Sequence, residues 1–359
     1  MRIKVLHVIN SLAVGGAETL LVNTLSVGGL QQYTDNIVVY FNKTSPLQER
    51  IEKNIKVYCL QYRNFFHLPM VLIQLRKIIK DNNIDIIHSH LNPAGFYTHL
   101  VCPVNVPQVH TLHINYSTDR ETGRLKVFLE KYLYFTKKNC NIIFLSDSVK
   151  DDFLNTVLFK GKYFVLNNFI SDSFFSAKDK EYSHDNVSLR LVAAARLSPV
   201  KNFEYLIDIF THLRNREIYL DIYGTGNIEK YNKLIQEKDV KIRMMGQSSD
   251  MSKVLPDYDL FILPSKNEGF PLSVFEAMAF GVPLMLSNIA PVRSIVKENA
   301  LYFDLDAEKS VADILISILE KRTDINVMAK KAKSYAEQTV RREMYMKKLL
   351  GIYGQLKTD

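Results

Sequence analysis

Short apolar runs recur along the chain, separated by longer amphipathic stretches. In the first half they are Val5 to Ile9, Ile37 to Phe41, Ile84 to His88 and Ile142 to Leu145, and in the second Leu189 to Ala195, Tyr219 to Tyr223 and Leu260 to Leu263. Continuous apolar runs mark strands buried on both faces, and strands alternating with helices imply parallel sheets covered on both sides, an α/β chain. Between Ser171 and Asn186 the runs give way to Asp, Ser, Lys and Glu with no periodicity, which predicts an interdomain linker over 171–186. The expected domains are 1–170 and 187–335. From Val327 onward Met328, Ala332, Tyr335, Ala336, Val340 and Met344 keep helical spacing among Lys and Arg, so a long amphipathic tail helix is expected, with 336–359 as its own packing element.

Composition narrows the class. A length of 359 residues suits two cores, and 47% hydrophobic with 11% aromatic content is that of folded protein. The second half restarts with a strand, a turn and a helix from about Phe203, with Asn202 expected as its N-cap, so it reads as a second Rossmann-like unit. The formal charge of +8 favours an anionic partner, whether nucleotide, nucleic acid or inner-leaflet surface. Three cysteines, Cys59, Cys102 and Cys140, lie far apart with no C-x-x-C pair, against a disulfide framework or thiolate zinc site. Asn10 and Ser11 interrupt the first apolar run too early for a signal peptide, and no apolar run of about 18 residues follows, so a cytoplasmic protein is expected.

In open parallel sheets ligands bind beyond the carboxyl ends of the strands, so the loops after each strand are where chemistry is sought. After Val5 to Ile9 comes Gly15-Gly16-Ala17-Glu18, where two glycines let backbone N–H groups approach an anion at a helix start or simply serve a tight turn. The spacing is not the dinucleotide fingerprint. Ile84 to Ile87 ends in His88-Ser89-His90, and Val109-His110-Thr111-Leu112-His113 again sets histidines after an apolar stretch. No third ligand follows the H-x-H pair at a metal-site spacing, and His113 is the candidate to line a site. In the turn Arg196 to Asn202, Arg196 and Lys201 project from the sheet edge as a guanidinium fork and a point charge, suited to a diphosphate held without metal or as two solvated cations. Gly224, Gly226 and Gly246 end two further strands and would suit close approach of a nucleotide.

The most specific string runs from Pro264 to Pro283. Leu260 to Leu263 leads into a loop, Pro271 presets a helical turn, and Gly281 suits its stop. Glu268 sits on the loop and Glu276 inside the helix, with the helix-start N–H groups between them able to bind phosphate. Two carboxylates flanking an anion hole can hydrogen-bond ribose hydroxyls and a sugar.

These residues, in this order, resemble the retaining glycosyltransferases of family 4: Gly15-Gly16-Ala17-Glu18, Ile86 to His90, Thr111-Leu112-His113, Arg196 with Lys201-Asn202, and E-x7-E from Glu268 to Glu276. The resemblance implies a GT-B fold, two Rossmann-like domains facing a central cleft, with the C-terminal helix crossing back to the N-terminal domain. It implies His113 and Glu268 as catalytic residues addressing the donor sugar. It also implies a donor site of Gly15, Gly16, Arg196, Lys201, Gly269, Phe270, Pro271, Leu272, Ser273 and Glu276, with Glu276 on the ribose and no metal or cofactor. The nucleoside-diphosphate sugar is then a substrate, and the acceptor is a glycan or lipid-linked hydroxyl. Asn167-Asn168-Phe169 replaces the family's Pro-Asn-Gly, so only Asn168 is carried over, and Ser294 stands where many members have glutamate. A GT-B nucleotide-sugar epimerase would share the same grip. Nucleic acid is not expected as a partner, because no aromatic and basic interleaving is present. The stretch Leu125 to Lys138 has two readings, a helix packed on its sheet or a surface resting on an anionic bilayer at the inner face of the plasma membrane.

Overall fold

The computed structural model describes residues 2–113, 116, 131–132, 134, 139–176, 188–248, 250–321 and 323–358. The chain divides into two compact units, Met1–Phe169 with Arg342–Asp359, and Ile170–Arg341. The expectation for Leu125 to Lys138 lies almost wholly outside the described residues, as does that for 177–186 of the linker.

The first unit is built on seven parallel strands: β1 (Ile3–Ile9), β2 (Thr34–Tyr40), β3 (Lys56–Cys59), β4 (Ile86–His90), β5 (Gln108–Leu112), β6 (Cys140–Phe144) and β7 (Tyr163–Val165). Their order is β3-β2-β1-β4-β5-β6-β7, so the winding reverses between β1 and β4. Alternation along β1 sorts the two cores. Val5 and Ile9 share one with Tyr345, Leu349, Ile352 and Tyr353 of helix Arg342–Thr358, while Leu6 and Val8 share the other with Val71, Leu75 and Ile79 of helix Leu68–Asp81. Each such buried side chain is worth roughly 1.5–3 kcal/mol, so the last helix is an integral wall of the first unit.

The second unit repeats the plan with β8 (Leu189–Ala194), β9 (Ile218–Tyr223), β10 (Ile242–Gly246), β11 (Leu260–Leu263), β12 (Leu284–Ser287) and β13 (Leu301–Phe303). Their order, β10-β9-β8-β11-β12-β13, reverses between β8 and β11.

Three local expectations change. The tail is two helices, Asn326–Thr339 and Arg342–Thr358, and the division between units falls at 341/342 rather than 335/336. The helix stops because the Val340 carbonyl accepts from the Ile170 N–H at 3.1 Å instead of continuing the ladder, while the Arg341 guanidinium lies 3.9 Å from the Phe175 ring centroid. Second, the start of the expected linker is packed structure: Asp172–Phe175 forms a short 3-10 turn with Phe174 and Phe175 buried against helix Leu272–Phe280. Third, Asn202 does not cap with its side chain. It takes a left-handed conformation, φ 56° and ψ 39°, because the 3-10 turn Pro199–Lys201 runs directly into helix Phe203–Thr211 and asparagine tolerates the reversal.

Candidate active site

The winding reversal of the second unit sets the loop after β8 beside the loop after β11, the place where open α/β sheets bind ligands. The first loop carries Arg196 and Lys201, and the second carries Glu268. A backbone bond from the Lys266 N–H to the Val200 carbonyl, 2.8 Å, ties the two loops together. Lys201 Nζ is 2.5 Å from Glu268 Oε1, and Ser265 Oγ donates to the same oxygen at 2.6 Å. Ser265 is itself fully buried and its carbonyl accepts from Ser287 Oγ at 2.6 Å, so the carboxylate is fixed from strands β11 and β12 at once. Arg196, by contrast, is exposed, and its guanidinium has no hydrogen bond or ion pair among the described residues. The arrangement is one neutralised pair with one uncommitted guanidinium beside it, a net positive corner at the sheet edge.

The second loop turns into helix Leu272–Phe280. Pro271 is its N-cap, φ −77° and ψ 93°, one residue ahead of the expected first turn, and Gly281 ends it in a left-handed conformation, φ 92°. Phe270, one residue before the cap, stacks on Phe275 with ring centroids 4.4 Å apart and planes at 5°, a hydrophobic staple that sets the angle at which the chain enters the helix. Phe270 is thereby committed to packing. At the helix start the Leu272 and Ser273 N–H groups have no carbonyl one turn back to bond. Glu276 is partly buried with no hydrogen-bond or ion-pair partner among the described residues, and loss of hydration raises its pKa to about 7.

The glycines after β9 have a reason in the backbone. A Cβ on Gly224 would run into the Ala195 carbonyl, and one on Gly226 into Leu197, so both let the neighbouring strand end lie close to the segment that carries Arg196. Gly246, φ 73°, faces open space and is required only by its own dihedral.

Gly15, Gly16 and His113 belong to the first unit. Gly15 is the N-cap of helix Gly16–Thr24, and a Cβ there would collide with the Glu18 carboxylate, which returns over the helix start. That carboxylate already faces the donors that an incoming phosphate would need.

His113 follows directly on β5, and its Nε2 is buried without a partner. Burial lowers its pKa to about 4, so it is a neutral imidazole that can share a hydrogen bond but carries no charge near pH 7. Behind it the H-x-H pair acquires a third imidazole that sequence spacing did not supply. His7, directly opposite His88 on β1, brings ring nitrogens of His7, His88 and His90 within 4.8 Å of one another. Both His88 nitrogens are already engaged, by Tyr353 Oη at 2.6 Å and Thr111 Oγ1 at 2.7 Å, which leaves His7 and His90 short of the three or four ligands a metal site needs. We read the group as a buried wall of rings behind His113, in which His7 Nε2 meets Asn36 Oδ1 at 3.2 Å and both His90 nitrogens are without a hydrogen-bond partner.

The structure therefore gathers Arg196, Lys201 and Glu268 with the loop and helix Gly269 to Glu276 at one sheet edge, and places Gly15, Gly16 and His113 in the other unit. Sequence reasoning missed Ser265, His7 and Tyr353. Ser265 sits three residues before Glu268 in the string already singled out, whereas His7 and Tyr353 meet His88 only through the fold. Asn168, carried over from the resemblance, is buried with its Oδ1 unpartnered.

Two family models span most of the chain, Glycosyltransferase Family 4 over residues 14–174 and Glycosyl transferases group 1 over residues 175–338. Among curated proteins, the chain is 23% identical to an Escherichia coli UDP-Gal:alpha-D-GlcNAc-diphosphoundecaprenol alpha-1,3-galactosyltransferase, covering 93% of this chain and 92% of that one. It is also 23% identical to the Staphylococcus aureus capsular polysaccharide biosynthesis glycosyltransferase CapH, covering 90% and 93%. Among solved structures, Anabaena HepE in complex with UDP-glucose superposes with a TM-score of 0.83 at 16% identity, covering 99% of this chain and 100% of that one.

Proposed function

Because the chain belongs to the family 4 glycosyltransferases and has their GT-B fold, we propose that it is a retaining enzyme that moves a sugar from a UDP-sugar to a hydroxyl of a glycan or lipid-linked acceptor. One observation carries the donor assignment: the unpartnered Arg196 beside the Lys201–Glu268–Ser265 group at the winding reversal. In this reading Arg196 forks to the diphosphate, Lys201 and the helix-start N–H groups complete its neutralisation, Glu276 takes the ribose hydroxyls, and Glu268 takes hydroxyls of the sugar.

The leaving nucleoside diphosphate gains negative charge as the glycosidic bond breaks, so fixed cations and N–H dipoles stabilise the transition state more than the ground state. That term does not call for a metal ion. The acceptor hydroxyl attacks the same face that the diphosphate leaves, and the departing phosphate oxygen accepts its proton, which preserves the anomeric configuration. The E. coli relative named for a diphosphoundecaprenol acceptor and the capsular relative support a lipid-linked glycan and a place in bacterial surface-polysaccharide assembly. We assign the work to the cytoplasm at the inner face of the plasma membrane; among the described residues no helix is long and apolar enough to cross one.

A panel of UDP-, GDP- and ADP-sugars screened for thermal stabilisation and for slow hydrolysis tests the reading. A UDP-sugar is expected to raise the melting temperature and to release UDP. Stabilisation by no nucleotide sugar, or release of an altered nucleotide sugar in place of UDP, would overturn it.

A further inference from the structure

Helix Leu68–Asp81 has two unlike faces. Val71, Leu75 and Ile79 point into the core over the first sheet. On the outward side Phe66, in the 3-10 turn that leads into the helix, is followed at helical spacing by Met70 and Ile73, and the three are 87%, 51% and 69% exposed. Lys77 and Lys80 continue the same line, both exposed, and exposed Arg63 and Arg76 flank it. Among the described residues none of these four side chains has a hydrogen bond or ion pair, and Asp81 is the only acid on the helix.

An apolar row that runs into a basic row is poorly matched to water along its first half and uncompensated along its second. We propose that this stripe docks the protein on an anionic bilayer. Phe66, Met70 and Ile73 enter the headgroup region, while Lys77, Lys80, Arg63 and Arg76 face lipid phosphates. From Phe66 to Lys80 the row extends roughly 20 Å at the helical rise, so it lies along the surface rather than touching it at a point. The rest of the helix is held by its own core, and ordering it on the membrane costs little. A second copy of the chain is a poorer occupant, because a symmetric pair would set the same cations facing one another with one acid each. Near an anionic surface each lysine is worth about 1 kcal/mol, about fivefold in partitioning. This docking needs neither donor nor acceptor and so goes beyond the transfer reaction.

The test is flotation of the purified chain with vesicles of phosphatidylcholine alone and with vesicles in which about a third of the lipid is phosphatidylglycerol. Wild type is expected to float with the anionic vesicles only, and to release as salt rises. The triple variant Phe66→Ser, Met70→Ser, Ile73→Ser and the double variant Lys77→Glu, Lys80→Glu should each lose about 25-fold or more in partitioning. Unchanged melting temperatures and donor hydrolysis in solution would show that both variants are folded. Equal flotation with the two vesicle types, no flotation of wild type, or unchanged flotation of both variants would overturn the proposal. So would a dimer in solution that the triple variant abolishes, since the stripe would then be covered by a second copy.

Discussion

Tyr353 Oη lies 2.6 Å from His88 Nδ1, joining the end of the chain to the fourth strand of the first unit across 265 residues of sequence. The opposite ring nitrogen of His88 meets Thr111 Oγ1, two residues before His113. A hydroxyl on each side can donate or accept, so both ring nitrogens are satisfied, and the pair braces the end of β5 from the last helix. Tyr353 is fully buried, so Tyr353→Phe keeps the packing and strands one polar nitrogen. The expected cost is about 1–3 kcal/mol, read as a lowered urea midpoint at unchanged slope. Tyr353→Ala adds a cavity and should cost about 3–5 kcal/mol. If the two variants were equally stable, the hydroxyl and not the ring would be the source of Tyr353's contribution.

Arg196 and Lys201 were grouped by sequence as two cations on one turn, yet their surroundings differ, and their alanine variants should differ accordingly. Arg196 is exposed and unpaired, so Arg196→Ala should leave stability within about 0.5 kcal/mol while lowering turnover about 100- to 1,000-fold. Lys201→Ala should lower turnover comparably and also destabilise the fold, because it leaves the Glu268 carboxylate 7% exposed with only Ser265 as partner. Turnover of substrate and thermal melting on the same two preparations separate the cases. Near-normal turnover in Arg196→Ala would remove the diphosphate assignment.

That contrast shows what the chain disclosed and what it withheld. The β8 and β11 strands and the E-x7-E helix were legible because each is a continuous local pattern: an apolar run, a proline, a glycine stop. What the local pattern could not disclose is the reversal of strand order that sets the two loops side by side, or the Ser287–Ser265–Glu268 chain that depends on it. The tail was misread as one helix because periodicity carries through Val340; the interruption comes from Ile170, which is remote in sequence. His7 lacked any signal of its own, since a histidine in an apolar run becomes a neighbour of His88 only when β1 and β4 pair.

Glu276 predicts a pH dependence of stability whose sign is fixed by its raised pKa. Folded, its carboxyl holds its proton up to about 7, against 4.5 unfolded. Between those values the native state binds the extra proton, so the contribution is full below about pH 4.5 and is lost as pH rises through 7. After discounting for partial exposure, the change across that window is about 1–3 kcal/mol. Glu276→Gln mimics the protonated form and should flatten this slope, melting higher than wild type at pH 8. Donor affinity should run the other way in wild type, strengthening above pH 7 as the carboxylate ionises and accepts the ribose hydroxyls, and should lose that dependence in the variant. Calorimetric melts from pH 5 to pH 8 with and without UDP measure both trends. His113, neutral throughout this range, should contribute no limb to the profile.

Gly224 and Gly246 lie at the ends of adjacent strands, β9 and β10, and alanine at each tests a different force. At Gly246, φ 73°, a methyl group meets nothing within 4 Å, so Gly246→Ala should cost only the left-handed backbone strain, about 1–2 kcal/mol, with donor affinity unchanged. At Gly224 the new Cβ would collide with the Ala195 carbonyl, which adjoins Arg196, and backbone cannot rotate away as a side chain would. Gly224→Ala should therefore push the 195–197 segment outward, costing about 1–3 kcal/mol and weakening UDP binding at least tenfold by displacing the guanidinium. Isothermal titration of both variants with UDP distinguishes these outcomes. Equal affinities in the two variants would mean that the contact with Ala195 does not position Arg196, and that Gly224 matters to the fold alone.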